Sequence, residues 1–176
     1  ADAQNFRIDV TGGDPNADFG VAIQLVVAMT LLTLGPSIIM MMTSFTRIVI
    51  VLGFVRNAVG VNAAPSSQII IGLALFLTFF LMGPVWNRIY EDSVVPYMAD
   101  EMRSGDALET ANAHMKDFML NQTRRADVNF FLELSRQGAM TRDEIPLSIV
   151  VPSFVLSELR TAFQMGFLIF IPFIIV

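Results

Sequence analysis

The chain has 176 residues, of which 54% are hydrophobic and 15% are charged, and its mean hydropathy is +0.61. An ordinary soluble domain is about 45–50% apolar and about 25% charged, so this composition indicates a membrane or membrane-like environment. The length suits one domain, the net charge of −5 argues against a nucleic-acid partner, and the lack of cysteine excludes disulfides, thiolate chemistry and most zinc sites.

The first 18 residues are polar and contain Gly12, Gly13 and Pro15, which is typical of a flexible lead-in. They do not show a basic start followed by an apolar core. A signal peptide is therefore either absent from the protein or already removed.

Two apolar runs, residues 19–34 and residues 37–59, follow the lead-in and are separated by Gly35 and Pro36. Together they exceed the length of about 20 residues that crosses a bilayer core once. We therefore predict either one long helix that is kinked near Gly35 and Pro36, or two shorter helices.

A third apolar run, residues 69–86, has about the length of a single membrane crossing. The segment before it, residues 57–68, reads NAVGVNAAPSSQ and combines glycine, proline and serine, which predicts a tight turn. Residues 19–86 are accordingly predicted to form a hydrophobic helical hairpin.

Residues 87–148 are rich in acids and bases and predict a small, water-exposed helical insert. Its first helix should begin at Asp106, with Glu109 three residues later completing a capping box. Its second helix should begin near Asp127 and end at Gly138.

The last segment, residues 149–176, is again hydrophobic and predicts one helix of a second hairpin. Pro152 suits the first position of this helix. The apolar run reaches Val176 without a terminating signal, so we expect the natural chain to continue and this hairpin to be truncated here. The predicted fold class is all-α, with long kinked hydrophobic helices forming hairpins around a small polar insert.

Two arginines, Arg47 and Arg56, are the only charges between Phe19 and Asn87. Their spacing places them on nearly opposite faces of a helix, so they cannot share one neighbour. Arg56 lies beside the predicted turn, where a cytoplasmic membrane boundary explains it. Arg47 lies deeper, and a charge at the bilayer centre costs roughly 2.5–3.5 kcal/mol on insertion scales. It therefore either snorkels or contacts a partner subunit or an aqueous space.

Glu158 raises the same question in the last hydrophobic helix. Arg160 is two residues further on and faces elsewhere, so it is not a helical partner for Glu158. An ionised acid in such a helix needs a cation from another helix or another chain. A pair with an arginine of the first hairpin and a pair across a subunit boundary both remain open.

Phe118 and Phe131 lie on the apolar faces of the two predicted insert helices. Packing within the insert explains both rings. The alternative is burial against a neighbouring copy, because the insert is short and rich in phenylalanine and methionine.

The residues give no support for catalysis. His114 is the only histidine and lies in the charged insert, and Ser37 has no base within the hydrophobic segments. Residues 19–87 contain no acids for paired-carboxylate chemistry, and the chain shows no glycine-rich phosphate loop and no metal-ligand spacing. We predict a protein that is not an enzyme and that has no cofactor and no metal.

Four motifs of the chain resemble one known family. They are MMTSFTRIVIVLGFVRNA, GLALFLTFFLMGPV, FMLNQTRRADVNFF and SELRTAFQMGFLIFIPF, in this order from about residue 25 to the end. Together they resemble the FliP family of flagellar biosynthetic proteins. The related proteins of virulence injectisomes look less similar, particularly around SFTRI and FMLNQTR.

The resemblance implies a pore-forming, structural subunit of the flagellar type III protein export gate. Several copies of such a chain would assemble with FliQ and FliR into a ring-like oligomer in the bacterial inner membrane, within the flagellar basal body. Other export-apparatus and basal-body proteins and unfolded export substrates would be its further partners. The resemblance also places the polar insert on the periplasmic side.

By motif, the resemblance implies a role in subunit assembly for Phe118 and Phe131, and a role in assembly or gating for Glu158. Arg47 and Arg56 are grouped with Glu158, because a subunit interface would shield an isolated arginine.

The family also carries a methionine cluster at the pore constriction, but in a later stretch, so residues 40–42 do not inherit that role. A competing function is a small-solute transporter or ion channel that uses Arg47 and Glu158 as its charged site. Repeated halves or paired broken helices, which are typical of transporters, are not visible in the sequence.

Overall fold

The computed structural model describes residues 15–60 and 66–175, and the regular structure in these ranges is helical throughout, which confirms the predicted all-α class. The helices are α1 (Pro15–Met41), α2 (Phe45–Ala58), α3 (Ser67–Ile89), α4 (Val95–Met98), α5 (Ser104–Gln122), α6 (Arg125–Leu134) and α7 (Leu147–Ile175), with a π-helical turn at Tyr90–Val94. Most of the predicted lead-in and the centre of the predicted turn, residues 61–65, lie outside the described residues.

The described residues fall into two compact units, which divide between Ile39 and Met40. The first unit contains most of α1. Both threonine hydroxyls of α1 bond to the backbone of the preceding turn, since Thr30 donates to the carbonyl oxygen of Val26 at 2.7 Å and Thr33 to that of Met29 at 2.8 Å. Such bonding within the helix suits an apolar environment.

The boundary between α1 and α2 lies at residues 42–44, so the alternative of two helices separated at Gly35 and Pro36 was wrong in the position of the break. α1 continues through Pro36, because a proline removes one hydrogen bond without necessarily ending a helix that is stabilised elsewhere. The interruption centres on the buried Thr43, whose hydroxyl donates to the carbonyl of Met40 at 2.7 Å and accepts from the amide of Phe45 at 3.3 Å. A threonine side chain that takes over backbone partners in this way competes with the helix.

α2 and α3 pack against each other, and the last turn of α2 lies beside the start of α3, where Arg56 bonds to Ser67. The buried residues of α3 recur every fourth position, and they are Ile70, Ala74, Thr78 and Met82. This spacing forms one stripe on a helix, and the opposite face of α3 remains apolar and exposed.

α7 is the central element of the second unit, because α2, α5 and α6 all pack against it. At its contact with α2, the ring of Phe54 lies edge-on to Phe163 and Phe170, with centroid distances of 5.8 and 6.0 Å. In the sequence of α7, Gly166 lies between Phe163 and Phe170, and a Cβ atom at this position would clash with the ring of Phe54. The glycine thus creates the space that the ring occupies.

The insert helices share a core with the first half of α7 and do not pack only on each other. The buried members of this core are Met119 from α5, Val128 and Leu132 from α6, Ile145, and Ile149, Val150 and Phe154 from α7. A continuous core of this kind makes the position of α5 and α6 depend on α7.

The start of α5 differs from the prediction. The helix begins at Ser104, Arg103 occupies the N-cap position without a side-chain hydrogen bond, and Asp106 lies inside the first turn. The predicted capping box of Asp106 and Glu109 was therefore wrong. The carboxylate in the first turn still interacts favourably with the positive end of the helix dipole.

The end of α6 also differs, since the helix stops at Leu134 and not at Gly138. Arg136 adopts a positive φ of 56°. Its amide donates to the carbonyl of Glu133, and the amide of Gln137 donates to the carbonyl of Leu132, both at 3.0 Å. This pair of bonds is a Schellman motif, which terminates a helix and usually has glycine at the position of Arg136.

α7 begins at Leu147, so Pro152 lies inside the helix and not at its first position as predicted. Three helical stretches among the described residues are long and apolar enough to cross a membrane, namely Gly20–Met41, Ser67–Met98 and Leu147–Ile175. The second has 32 residues, whereas about 20 residues cross a hydrocarbon core of about 30 Å. Its charged end, from Arg88 onwards, accordingly extends beyond the core.

Candidate functional site

Two isolated charges of the hydrophobic helices, Arg47 and Glu158, meet in one site. Arg47 in the first turns of α2 donates from Nη2 to the carboxylate Oε1 of Glu158 in the middle of α7. The side chain of Glu158 is 1% exposed and that of Arg47 is 25% exposed. Of the alternatives left open by the sequence for Glu158, the pair within one chain is the one observed.

A cavity of about 180 Å³ adjoins this ion pair. It is lined by Ser44, Arg47, Leu81, Phe118, Gln122 and Glu158, and so brings together α2, α3, α5 and α7. Three buried polar atoms at the cavity have no hydrogen-bond partner among the described residues, namely Oγ of Ser44, Nε of Arg47 and Oε2 of Glu158. The site therefore has unused hydrogen-bonding capacity on both the cation and the anion.

The surroundings of the pair hold the guanidinium in place. Gln122, the last residue of α5, accepts a second bond from Nη2 of Arg47 at 3.4 Å through Oε1. The ring of Phe118, one turn earlier on α5, packs 5.9 Å from the ring of Phe154 on α7. Arg47 thus links three helices, because it lies on α2 and bonds to Gln122 of α5 and Glu158 of α7.

The remaining predicted site residues lie elsewhere. Arg56 is near the end of α2, and its Nη1 donates to the hydroxyl of Ser67 at the start of α3 at 3.3 Å. Phe131 packs against the shared core of the insert and α7, and its ring lies 5.2 Å from that of Phe130. The structure therefore brings Arg47, Glu158 and Phe118 together and leaves Arg56 and Phe131 outside the site.

A second buried polar group, which the sequence reasoning missed, fastens α6 to α7. Asp127 is 1% exposed, and it accepts a hydrogen bond from the hydroxyl of Ser157 at 2.6 Å and an ion pair from Nε of Arg160 at 3.4 Å. Ser157 in turn accepts the backbone N–H of Arg124, the N-cap residue of α6, at 3.0 Å.

The sequence held a signal for this group. Ser157 and Arg160 are three residues apart and so lie on one face of a helix, where they can share a partner. Adjacent residues of α7 thus serve different neighbours, since Ser157 binds α6 and Glu158 binds α2.

His114, the only histidine of the chain, pairs with Asp92 in the π-helical turn, with 2.9 Å between Nε2 and Oδ2. Within residues 15–60 and 66–175, histidine and acidic side chains nowhere gather in the groups of three that a metal ion would need.

The comparisons with known proteins all point to one family. The sequence pattern of the FliP family matches residues 28–176. Flagellar biosynthetic protein FliP of Buchnera aphidicola subsp. Acyrthosiphon pisum (strain APS) is 48% identical over 164 residues, which cover 93% of the chain and 43% of that protein. The protein of the same description from Bacillus subtilis (strain 168) is 41% identical over 173 residues, which cover 98% of the chain and 78% of that protein.

A third relative, flagellar biosynthetic protein FliP of Pectobacterium carotovorum subsp. carotovorum, is 45% identical over 157 residues, which cover 89% of the chain and 61% of that protein. The chain spans about half the length of several of the curated relatives it matches. Because the family pattern covers most of the chain and the identities extend over nearly all of it, the chain belongs to the FliP family.

Proposed function

We propose that the protein is a structural, pore-forming subunit of the flagellar type III protein export gate and is required for the export of flagellar proteins. The observation that carries this proposal is the match to the FliP family over residues 28–176, together with relatives that are described as flagellar biosynthetic proteins. Its role is to form part of a conduit, and it carries out no chemical step of its own.

The distribution of apolar surface supports assembly with other chains in a membrane. α3 carries Phe76, Phe79 and Phe80 on its exposed face, and α7 carries Phe167 and Leu168 on its own. Exposed apolar patches of this kind mark contacts with lipid or with protein partners. Further copies of the chain, FliQ and FliR are the proposed partners at these faces, and unfolded export substrates pass through the assembled ring.

The proposed location is the bacterial inner membrane within the flagellar basal body, beside other export-apparatus and basal-body proteins. The polar insert lies on the periplasmic side, and the turn after Arg56 lies on the cytoplasmic side. The arginine beside that turn supports this orientation, because cytoplasmic ends of membrane helices are enriched in positive charge.

The ion pair gives the candidate residues specific roles. Arg47 and Glu158 hold α2 on α7 and leave Nε and Oε2 free for a further contact in the assembled gate. Phe118 and Phe131 support assembly by fixing the insert helices on α7. Arg56 fastens the end of α2 to the start of α3 through Ser67.

Deletion of the gene in the protein's own organism tests the proposal. The deletion should abolish motility and the secretion of filament protein, while the cells still synthesise that protein, and the intact gene should restore both. Affinity purification from the restored strain should recover FliQ and FliR. Normal secretion in the deletion strain would refute the proposal.

The transporter alternative draws on the Arg47–Glu158 pair, with its buried carboxylate, beside a cavity. It predicts that the purified protein, as a monomer or dimer, moves a small ion across liposomes. The export-gate proposal predicts an oligomer far larger than the 19.5 kDa of this chain and no such transport. The counterpart gate of a virulence injectisome would leave motility unchanged when the gene is deleted.

A further inference from the structure

An apolar groove crosses the insert where α5 faces the continuous helical stretch from the end of α3 to α4. Its volume is about 280 Å³. One wall is formed by Ile89, Val94 and Tyr97, and the other by Ala107, Leu108 and Ala111. Each wall repeats at helical spacing, and the two alanines leave room for a large side chain. The hydroxyl of Ser93, at the groove, is buried and has no partner among the described residues.

An apolar ridge runs along the outer face of α6. Phe130 and Leu134 are four residues apart, so they lie on the same face, and they are 53% and 68% exposed. The inner face of the same helix is formed by the buried Val128 and Leu132. Phe131 is half-buried, and its ring lies edge-on to that of Phe130, with 5.2 Å between the ring centroids. This contact supports the Phe130 ring from the inner side.

The groove and the ridge belong to different sides of the insert. The π-helical turn and α4 pack on α5, whereas α6 packs on α7 and has no extensive contact with α4 or the π-helical turn in the described part of the chain. A chain with two different, separated surfaces can associate head to tail, and such contacts close into a ring when the rotation between copies allows it.

The charges around the two surfaces are complementary. Residues 88–111, which form the groove and its rims, hold more acids than bases; the acids are Glu91, Asp92, Asp100, Glu101, Asp106 and Glu109, and the bases are Arg88 and Arg103. α6 and its two ends carry the exposed arginines Arg124, Arg125 and Arg136, of which Arg124 bonds to Gln164 of α7, against one exposed acid, Glu133. Surfaces of opposite charge attract each other during association, and they disfavour pairings that bring like charges together.

We propose that the occupant of the groove is a second copy of this chain, and that the ridge of Phe130 and Leu134 enters the groove beside Leu108 of the neighbouring copy. This inference rests on the proposed ring of subunits and specifies how its members meet in the periplasm. It assigns the contact to Phe130 and Leu134, and it gives Phe131 a positioning role behind Phe130.

Cysteine cross-linking tests the contact directly, because the chain has no cysteine of its own. The double variant Leu108→Cys with Leu134→Cys, expressed in the complete export apparatus in cells, should give a ladder of cross-linked copies with a short bis-maleimide. Each single variant should stay monomeric. The matched control pairs Leu108→Cys with Asn129→Cys, an exposed position of α6 off the ridge, and should cross-link at least tenfold less. A product from Leu134→Cys alone would overturn the head-to-tail arrangement in favour of a two-fold one.

Charge insertion gives an independent test. Phe130→Asp should lower the yield of assembled gate by about tenfold or more, since removing a central apolar anchor commonly has an effect of this size. Asn129→Asp adds the same charge beside the ridge and should leave the yield within about twofold of the original, as expected at a position outside the contact. An unchanged yield for Phe130→Asp would overturn the inference.

Failure of this contact and failure of the proposed function give different results. If the gate assembles and exports filament protein without Leu108–Leu134 cross-links, this contact is wrong and the export function stands. If neither export nor an oligomer is found, the proposed function itself is wrong.

Discussion

At the scale of single residues, Glu158 is a carboxylate that is almost completely buried in an apolar helix. Its cation lies 111 residues earlier in the chain. Removing two charges from water is so costly that a buried pair contributes little net stability, yet losing one partner costs about 3–5 kcal/mol because the other charge stays buried and unpaired. The pair therefore favours one arrangement of α2 on α7 over the alternatives, more than it adds to stability.

We expect Arg47→Met to destabilise the protein in detergent by about 3 kcal/mol and the double variant Arg47→Met with Glu158→Gln to be less destabilised than Arg47→Met alone. The second substitution removes the carboxylate that the first leaves without a cation. Denaturant unfolding of the two single variants and the double variant measures this coupling. Additive effects of the two substitutions would show that the charges do not interact.

Arg136 and Asp100 both adopt a φ of 56°, which side chains rarely favour. We expect Arg136→Gly to stabilise the protein by about 0.5–1 kcal/mol, since glycine relieves the left-handed strain and loses part of the gain to backbone entropy. Asp100→Gly should bring a smaller gain, because aspartate tolerates this conformation better than arginine does. Arg136→Ala keeps the strain and should bring no gain, and glycine at the helical position Asn112 should destabilise. Thermal unfolding of the four variants distinguishes these effects, and a loss of stability in Arg136→Gly would contradict the explanation.

At the scale of helices, the contact between α2 and α7 depends on a small residue facing a large one. Gly166 leaves room for the ring of Phe54, and small residues allow this close approach of helices in membranes, where the hydrophobic effect does not drive association. The ion pair of Arg47 and Glu158 and this aromatic contact hold the same two helices at different points along their length.

We expect Gly166→Ala to destabilise the α2–α7 contact by about 1–3 kcal/mol, the usual cost of overpacking. Combining it with Phe54→Leu should recover a large part of the loss, because the smaller side chain frees the space that the new methyl group needs. Gly72→Ala, on α3, is the matched control, since its added Cβ would have no neighbour within 4 Å. Unfolding midpoints in detergent measure the three changes, and equal losses for Gly166→Ala and Gly72→Ala would rule out the proposed steric cause.

The periodicity of apolar residues was sufficient to predict that the chain is all-α and where its long hydrophobic helices lie. It did not predict helix ends that depend on competition between local hydrogen bonds. Gly35 and Pro36 look like a break, but the break occurs at Thr43, whose hydroxyl takes over backbone partners. Likewise, α6 ends at a Schellman motif with arginine in place of glycine, which no composition rule indicates.

The candidate site was only half predictable for a related reason. Arg47 and Glu158 stood out because each is an isolated charge in an apolar helix, and the sequence posed their pairing as an open alternative. Distance along the chain cannot show which helices become neighbours. The buried contact of Asp127 with Ser157 and Arg160 was missed because its acid lies in a segment full of other acids.

At the scale of the whole molecule, apolar and charged segments alternate sharply along the chain. Between Arg56 and Arg88 there is no charge, and residues 69–86 are about as long as one crossing of a bilayer core. We therefore expect the two ends of α3 to lie on opposite sides of a membrane. The insert that follows α3 and precedes α7 is then on one side as a unit, which agrees with the core that its helices share with α7.

This arrangement predicts a specific labelling pattern for single cysteines in a chain that has none. Asn112→Cys on α5 and Ser66→Cys before α3 are both exposed positions, so their reactivity reports the side of the membrane and not burial. In intact cells with a permeable outer membrane, an impermeant maleimide should label Asn112→Cys, and it should label Ser66→Cys only after the inner membrane is opened. Phe79→Cys, on the exposed apolar face of α3, should stay unlabelled in both conditions, since maleimide reacts with a thiolate and the bilayer core excludes water. Labelling of both Ser66→Cys and Asn112→Cys in intact cells would place both ends of α3 on the same side of the membrane and contradict the crossing, whereas labelling of Ser66→Cys alone would reverse the proposed orientation.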